Sequence, residues 1–197
     1  MKVRLREGLP TRSVLRGILL IGRGRREGLA EFGSSRDAFL ASLAPLLAFP
    51  LVGAALMMAG GQSRGAAASL LGTVIALLAP PVLSYEPAKW WKREANWLRY
   101  ATALNWCQWL VPMLAAVLLI LVYPPLTMAV GDEAAGYSVL GLLAGYGLWL
   151  HWFIARHGLS ISGVRAAILV VLVNACTIGL VVAPQAIGTG RISSALS

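Results

Sequence analysis

Charged side chains are scarce in this chain of 197 residues. Lys, Arg, Asp and Glu make up only 13% of the residues, whereas 58% are hydrophobic. A typical soluble domain carries about 25% charged residues, roughly twice this share. The scarcity of charge excludes an ordinary soluble enzyme, and the abundance of apolar residues excludes a disordered chain. Both observations indicate a protein that is embedded in a membrane.

Five stretches of the sequence lack all four charged residue types, and each is at least 21 residues long. A helix needs about 20 residues to cross a hydrocarbon core of about 30 Å. Helices satisfy their own backbone hydrogen bonds in lipid, and the apolar run over 114–122 lacks the polar alternation of a transmembrane β-strand. We therefore predict an all-α integral membrane protein with five transmembrane helices, at approximately 39–59, 66–84, 107–128, 136–155 and 165–184.

The sequence divides into a basic cytoplasmic or interfacial segment over 1–37, the transmembrane domain over 38–185 and a short extracytoplasmic tail over 186–197. Within the basic segment, residues 13–32 predict an amphipathic helix that lies on the membrane, because apolar residues alternate with arginines. These arginines are candidates for binding anionic lipid headgroups: Arg12, Arg16, Arg23, Arg25 and Arg26. The alternative is that they only set the topology. Ser34-Ser35 before Asp37 predicts an N-cap for the first transmembrane helix.

Nearly all basic residues lie on one side of the predicted bundle. Of 17 Lys and Arg residues, 15 fall in the N-terminal segment, in the connection between the second and third helices, or in the turn after the fourth. Cytoplasmic loops carry such an excess, so we predict an inner (plasma) membrane protein with the N-terminus in the cytoplasm and the C-terminus outside. Tryptophan favours the membrane–water interface, and all seven tryptophans flank the same side: Trp90, Trp91, Trp97, Trp106, Trp109, Trp149 and Trp152. Arginine outnumbers lysine 14 to 3, which is typical of a GC-rich bacterial genome.

Small residues recur four apart on three of the predicted helices. Helices in lipid associate through close backbone approach, so these positions are candidates for helix packing: Ala68, Gly72, Ala76, Gly141, Gly145, Ala175 and Gly179. They predict either a compact bundle or a seam between two copies of the chain. Proline interrupts or ends the first three helices, which predicts kinks at Pro45, Pro50, Pro80-Pro81, Pro112 and Pro124-Pro125.

Side chains that carry catalysis or bind metals are few. No charged side chain occupies the middle of a predicted helix, and the sequence contains no Walker motif, dinucleotide fingerprint or His-Glu-x-x-His helix. We expect Asn174 to hydrogen-bond a neighbouring helix and His151 to lie at the membrane boundary. Cys107 and Cys176 differ in predicted depth by about 10 Å or more, which is too far for a disulfide. The sequence therefore predicts no catalytic residue, no metal site and no cofactor.

The combination of these features resembles the Yip (Ypt-interacting protein) family of five-helix membrane proteins. The resemblance covers about residues 30–185 and lies in the basic N-terminal segment, the five helices with little outside them, and the charged aromatic connection before Asn105-Trp106. The Asp-Leu-Tyr-Gly-Pro motif of eukaryotic members is absent from this sequence, so their role in Rab-linked vesicle traffic is not carried over. The resemblance implies a non-enzymatic integral membrane protein that binds partners or shapes membranes.

Two functions are compatible with these expectations. The first is a multi-pass inner-membrane protein that acts by interaction, as a membrane scaffold or an accessory subunit of a larger membrane complex. Its partners would be anionic lipids on the cytoplasmic side and another protein or a second copy of the chain, and we expect no nucleic acid. The alternative is a small transporter or channel for an uncharged or weakly polar solute, with Asn105, Asn174 and Thr177 along a neutral path between proline-broken helices.

Overall fold

The structure, a computed structural model, describes the backbone of residues 11–61 and 63–195 and the side chains of residues 13–61, 67 and 69–182. Within these ranges every regular element is helical. The α-helices are, in chain order, α1 (Thr11–Gly22), α2 (Arg36–Ala59), α3 (Ser63–Leu83), α4 (Tyr85–Trp90), α5 (Glu94–Cys107), α6 (Leu110–Val117), α7 (Tyr123–Val130), α8 (Asp132–Gly158) and α9 (Gly163–Ala195). A 3₁₀ helix over Arg26–Glu31 follows α1, and a π-helical turn over Leu118–Val122 joins α6 to α7.

Five helical stretches in the described part of the chain are long and apolar enough to cross a membrane. These spans, first to fifth, are Arg36–Ala59, Ser69–Trp90, Glu94–Val130, Asp132–Gly158 and Gly163–Val182. The predicted all-α class and the predicted number of apolar helices are confirmed. The third span differs most from its predicted start at residue 107, because Tyr100 and Leu104 pack in the protein core and extend α5 through the charged connection. The backbone of α9 likewise continues to Ala195, through most of the predicted tail.

Short polar and glycine residues fix several helix ends. The Ser35 hydroxyl accepts a hydrogen bond from the Ala38 N–H at 3.1 Å, and Asp37 occupies the first turn of α2, which confirms the predicted N-cap. Gly61 has a φ of +81° in the turn after α2, and Gly131 has a φ of +86° between α7 and α8. Glycine adopts this left-handed backbone without the steric cost that a Cβ brings. Both turns therefore reverse the chain within a few residues.

Proline determines where the third span is interrupted. A break at Gln108 and Trp109 separates α5 from α6 and lies just before Pro112, and the π-helical turn lies just before Pro124-Pro125. Proline cannot donate to the carbonyl four residues earlier and its ring collides with that carbonyl, so the preceding turn is displaced. Two other helices run through their prolines: α2 through Pro45 and Pro50, and α3 through Pro80 and Pro81.

The spans contact one another in a closed ring. Helix α2 contacts α3, α3 contacts α9, α9 contacts α8, α8 contacts α5, and α5 contacts α2. We call the end formed by α1, the 3₁₀ helix and the α4–α5 and α8–α9 connections the basic end. The largest buried cluster lies toward this end, whereas α6 and α7 bury none of their residues. The ring is therefore densely packed at the basic end and more open at the other.

The predicted amphipathic segment forms a cap on the basic end. Val14, Ile18 and Ile21 are buried, and α1 and the 3₁₀ helix pack against each other and against α5 and α8. At Gly28 an added Cβ would lie 2.7 Å from the Gly17 carbonyl oxygen, so only glycine permits this approach. Two of the arginines proposed to bind headgroups form ion pairs within the cap: Arg16 lies 3.7 Å from Glu31, and Arg25 lies 3.9 Å from Glu27. Arg23 and Arg26 are exposed. The Arg12 side chain lies outside the described residues, as do residues 1–10.

Candidate functional site

A cavity of about 620 Å³ lies between the spans. All five spans contribute to its wall, with apolar side chains such as Leu46, Leu77 and Leu150 making up much of the surface. Among the described residues every lining side chain is neutral, and the polar ones are Thr73, Cys107, Gln108, Trp109, His151 and Asn174. Cavities of about 300 to 1,000 Å³ with mainly apolar walls and a few polar groups are typical of small-molecule sites.

Three prolines line this cavity, one from each of the first three spans: Pro50, Pro80 and Pro112. A proline inside a helix removes the N–H that would fill the ladder and keeps the neighbouring turn from packing closely. The cavity therefore lies where prolines of the first three spans come together in space. The sequence showed where each helix is weakened, and the ring arrangement brings these places together.

A chain of polar side chains crosses the wall of the cavity and connects three helices. The Tyr100 hydroxyl of α5 lies 3.0 Å from His151 Nε2 of α8, and the Asn174 amide of α9 lies 3.4 Å from His151 Nδ1. Asn174 Nδ2 also donates to the Val170 carbonyl at 2.7 Å. Because Asn174 Nδ2 is a donor, His151 Nδ1 acts as the acceptor and the imidazole proton is on Nε2, which donates to Tyr100. The imidazole is thus neutral and held at both nitrogens.

A second polar contact joins α5 to α2 beside the cavity. Asn105 Nδ2 donates to Ser42 Oγ at 2.9 Å, and Ser42 Oγ donates to the Phe39 carbonyl at 2.6 Å. The Asn105 carbonyl oxygen is buried without a hydrogen-bond partner among the described residues, and so is the Trp109 indole N–H. A buried polar group without a partner costs about 1 to 3 kcal/mol, so such groups are rare and frequently functional.

Trp109 occupies the break between α5 and α6 and lines the cavity. Its ring packs against Phe49 of α2, with ring centroids 4.7 Å apart and planes tilted by 57°. The contact holds the indole against the first span. The lining therefore includes a positioned aromatic ring whose only polar group, the buried indole N–H, has no partner in the described part of the chain.

No family model, no curated protein and no solved structure matches this chain. What the site can do is therefore argued from its own residues. Among the side chains that the structure describes, no three or more of His, Cys, Asp and Glu come close enough to hold a metal ion. Cys107 is buried and Cys176 is exposed, and both thiols are free.

The other predicted interface tryptophans lie around the basic end. The Trp97 indole N–H donates to the Pro81 carbonyl and to Ser84 Oγ, both at 3.2 Å, which ties the third span to the second. The Trp152 indole N–H donates to the Gly163 carbonyl at 2.9 Å, which ties the fourth span to the fifth. The remaining members differ in exposure: Trp90 and Trp149 are exposed, and Trp91 and Trp106 are half-buried.

Most of the predicted packing positions are exposed or have open space around them in the described part of the chain. At Gly72, Gly141, Gly145 and Gly179 an added Cβ would have no neighbouring atom within 4 Å, Ala76 and Ala175 are exposed, and the Ala68 side chain lies outside the described residues. The close approach that the ring uses is at Gly158, where an added Cβ would lie 3.3 Å from Tyr100 Cα. At these four glycines the described residues therefore leave room for a side chain, and both a compact bundle and a seam between two copies stay predictions.

Sequence reasoning missed the burial of two residues of the site. His151, whose predicted place at the membrane boundary stays a prediction, is buried in contact with α5 and α9, with only 8% of its surface exposed. Tyr100 attracts no attention in the sequence, since it follows a run of charged residues. A usable signal is that Tyr100, Leu104 and Cys107 recur at helical spacing, and all three are buried.

Proposed function

We propose that this chain binds an uncharged, weakly polar solute inside the membrane. Such binding is required by the second of the two functions that the sequence suggests, a small transporter or channel. The observation that carries the proposal is the cavity of about 620 Å³ between all five spans, where every lining side chain that the structure describes is neutral. Transfer of an unpaired charge into such surroundings costs several kcal/mol, whereas apolar surface gains about 25 cal/mol per Å² on burial. The walls therefore favour an uncharged molecule that is apolar over most of its surface, and the proposal involves no catalysis.

We further propose that the chain lies in a bacterial inner membrane with the basic end facing the cytoplasm. The support is that 15 of the 17 basic residues in the sequence fall in the N-terminal segment, the connection between the second and third spans, or the turn after the fourth span. The exposed Arg23 and Arg26 would then face anionic lipid headgroups, with about 1 kcal/mol of attraction for each residue near the surface. In this orientation the capped and densely packed end of the ring is on the cytoplasmic side.

Photolabelling with benzophenone, an uncharged and mainly apolar ketone, tests the solute proposal. The full chain is reconstituted in liposomes of a neutral phospholipid, irradiated with increasing benzophenone, and the labelled residues are mapped by mass spectrometry. The test variant is Gly147→Leu: Gly147 lines the cavity, and an added Cβ meets only Val111 Cγ2 at 3.6 Å, an ordinary contact, so the side chain fills the cavity without a clash at its base. The matched control on the same helix is Gly136→Leu, whose Cβ meets nothing within 4 Å.

We expect saturable labelling of cavity residues such as Leu150 in the parent chain and in Gly136→Leu, and a loss of that labelling in Gly147→Leu. Labelling that rises without saturation, spreads evenly over the lipid-facing surface and ignores Gly147→Leu would overturn the proposal. Circular dichroism and gel filtration of both variants verify that the fold is kept.

A second candidate function is action by interaction, as a scaffold or accessory subunit. The observation in its favour is that an added Cβ at Gly141 or Gly145, one turn apart on α8, would meet none of the described residues within 4 Å, which leaves room for a helix of another subunit. The resemblance to the Yip family implies a similar role and stays a prediction.

A further inference from the structure

We propose that the solute of this cavity is a molecule dissolved in the hydrocarbon layer of the membrane, and that it enters the cavity sideways between α2 and α6. The proposal rests on the proposed solute binding and names the class and the source of the solute. It begins from α2, which has close neighbours on one face before the cavity and open space on the same face beyond it.

One face of α2 is covered near the start of the helix and uncovered farther along. Ala38, Ser42 and Leu46 recur four apart, share this face and are buried, and Ser42 is hydrogen-bonded to α5. The next residues along the face are Phe49 and Gly53. Phe49 is 65% exposed, and an added Cβ at Gly53 would meet none of the described residues within 4 Å. The face therefore loses its neighbour after Leu46.

The third span moves away from the first at the same level. Helix α5, which contacts α2, ends at Cys107, and α6 begins at Leu110 after the break. Helices α6 and α7 pack mainly against α8 and the π-helical turn, and neither makes extensive contact with α2 in the described part of the chain. Neither helix buries any of its residues. The ring is therefore closed between α2 and α5 but open between α2 and α6.

The rim of this opening is apolar. Phe49 and Pro50 of α2 and Val111 and Pro112 of α6 line the cavity, and the Phe49 ring contacts Trp109 where the closed part of the ring ends. Phe49 and Pro112 are also exposed, which is expected at the edge of an open cavity. An apolar molecule passes from acyl chains to such a rim without a change in its surroundings, whereas a polar molecule has to lose its hydration first.

Toward the basic end the cavity is closed by protein. Leu104 and Cys107 line the cavity, are buried and belong to the core cluster to which α1 and α8 also contribute. The cap of α1 and the 3₁₀ helix contacts α5 at this end. A solute from the proposed cytoplasmic side would have to displace this packing, whereas a solute in the hydrocarbon layer meets only the apolar rim.

A photoprobe that cannot leave the bilayer tests this route. The probe is a phosphatidylcholine with a benzophenone at the end of one acyl chain, and it is reconstituted with the full chain in liposomes of a neutral phospholipid. Free benzophenone in parallel liposomes reports binding in the cavity itself. The test variant is Gly53→Phe, which places a ring in the opening. The matched control is Gly136→Phe, where an added Cβ likewise meets no described residue within 4 Å.

We expect the lipid-borne probe to label lining residues such as Leu77 and Leu150 in the parent chain and in Gly136→Phe, and to lose most of this labelling in Gly53→Phe. Circular dichroism and gel filtration verify that both variants keep the fold. Equal labelling of these residues in Gly53→Phe and in the parent chain would overturn entry between α2 and α6.

The two probes together separate the route from the binding. Saturable labelling of the cavity by free benzophenone, with none by the lipid-borne probe in the parent chain, would overturn entry from the hydrocarbon layer and leave solute binding intact. Failure of both probes to label the cavity would instead count against solute binding itself.

Discussion

The hydrogen bond between Tyr100 and His151 should hold α5 against α8, and Tyr100→Phe tests this. The substitution removes only the hydroxyl, so the aromatic packing of a residue with no exposed surface is kept. It leaves His151 Nε2–H, 3.0 Å from the lost oxygen, buried without that partner. We therefore expect the variant to fold with the same helix content and a lower free energy of unfolding.

The size of the loss follows from the burial of both partners. A buried donor left unpaired costs about 1 to 3 kcal/mol in soluble proteins, but interhelical hydrogen bonds inside membranes average only about 0.6 kcal/mol and reach about 1.7. Tyr100 and His151 are 0% and 8% exposed, so we expect a value toward the upper end, about 1 to 1.5 kcal/mol. Replacing both partners by apolar groups removes the unpaired donor, so Tyr100→Phe in a His151→Leu background should cost much less.

The measurement is the free energy of unfolding in mixed micelles, followed by circular dichroism during titration with a denaturing detergent. The four members of the double-mutant cycle give a coupling energy, which we expect at about 1 kcal/mol. Tyr137→Phe serves as the control because Tyr137 is 68% exposed on the same helix as His151, and its effect should add to that of His151→Leu within about 0.5 kcal/mol. Additive effects of Tyr100→Phe and His151→Leu would refute the reasoning.

The remaining predictions concern association and topology. Gly141→Leu should reduce copurification of two differently tagged copies about fivefold, which corresponds to a loss of about 1 kcal/mol of association free energy. The control is Gly53→Leu, where an added Cβ likewise meets no described residue within 4 Å, and it should copurify as the parent chain does. Equal recovery of the two variants would contradict an association through Gly141. Alkaline phosphatase, which is active only outside the cytoplasm, should be active when fused after Gly61 and inactive after Ser160. The reverse pattern would invert the proposed orientation.

The fold could be predicted to the extent that it depends on the absence of charge. Four of the five spans lack charged residues over nearly their whole length, and their helices coincide with the predicted ones to within a few residues at most ends. The third span begins inside a charged segment, and its start depends on the burial of Tyr100 in the core cluster to which α1, α5 and α8 contribute, which the local sequence does not encode. The composition of a segment shows that the segment can lie in lipid. It does not show where contacts with other helices take the place of contacts with lipid.

The candidate site could be predicted only in fragments. The prolines were visible because each acts on its own helix. The pairs Tyr100–His151 and Ser42–Asn105 are 51 and 63 residues apart, and they form only because α5 contacts both α8 and α2 in the ring. The four-residue spacing of glycines marks a face but does not specify its neighbour, and among the described residues these glycines have open space around them.

The length of the third span has a consequence for the lipid in which this protein can reside. Its 37 residues correspond to about 55 Å of helix, well beyond a hydrocarbon thickness of about 30 Å. The surplus belongs to α5, whose buried side chains are covered by α1, the 3₁₀ helix and α8 rather than by acyl chains. In the proposed membrane, changes in bilayer thickness would therefore act on the exposed α6 and α7, while the contacts of α5 with α1, the 3₁₀ helix and α8 stay in place, so we expect the protein to tolerate thin and thick membranes alike.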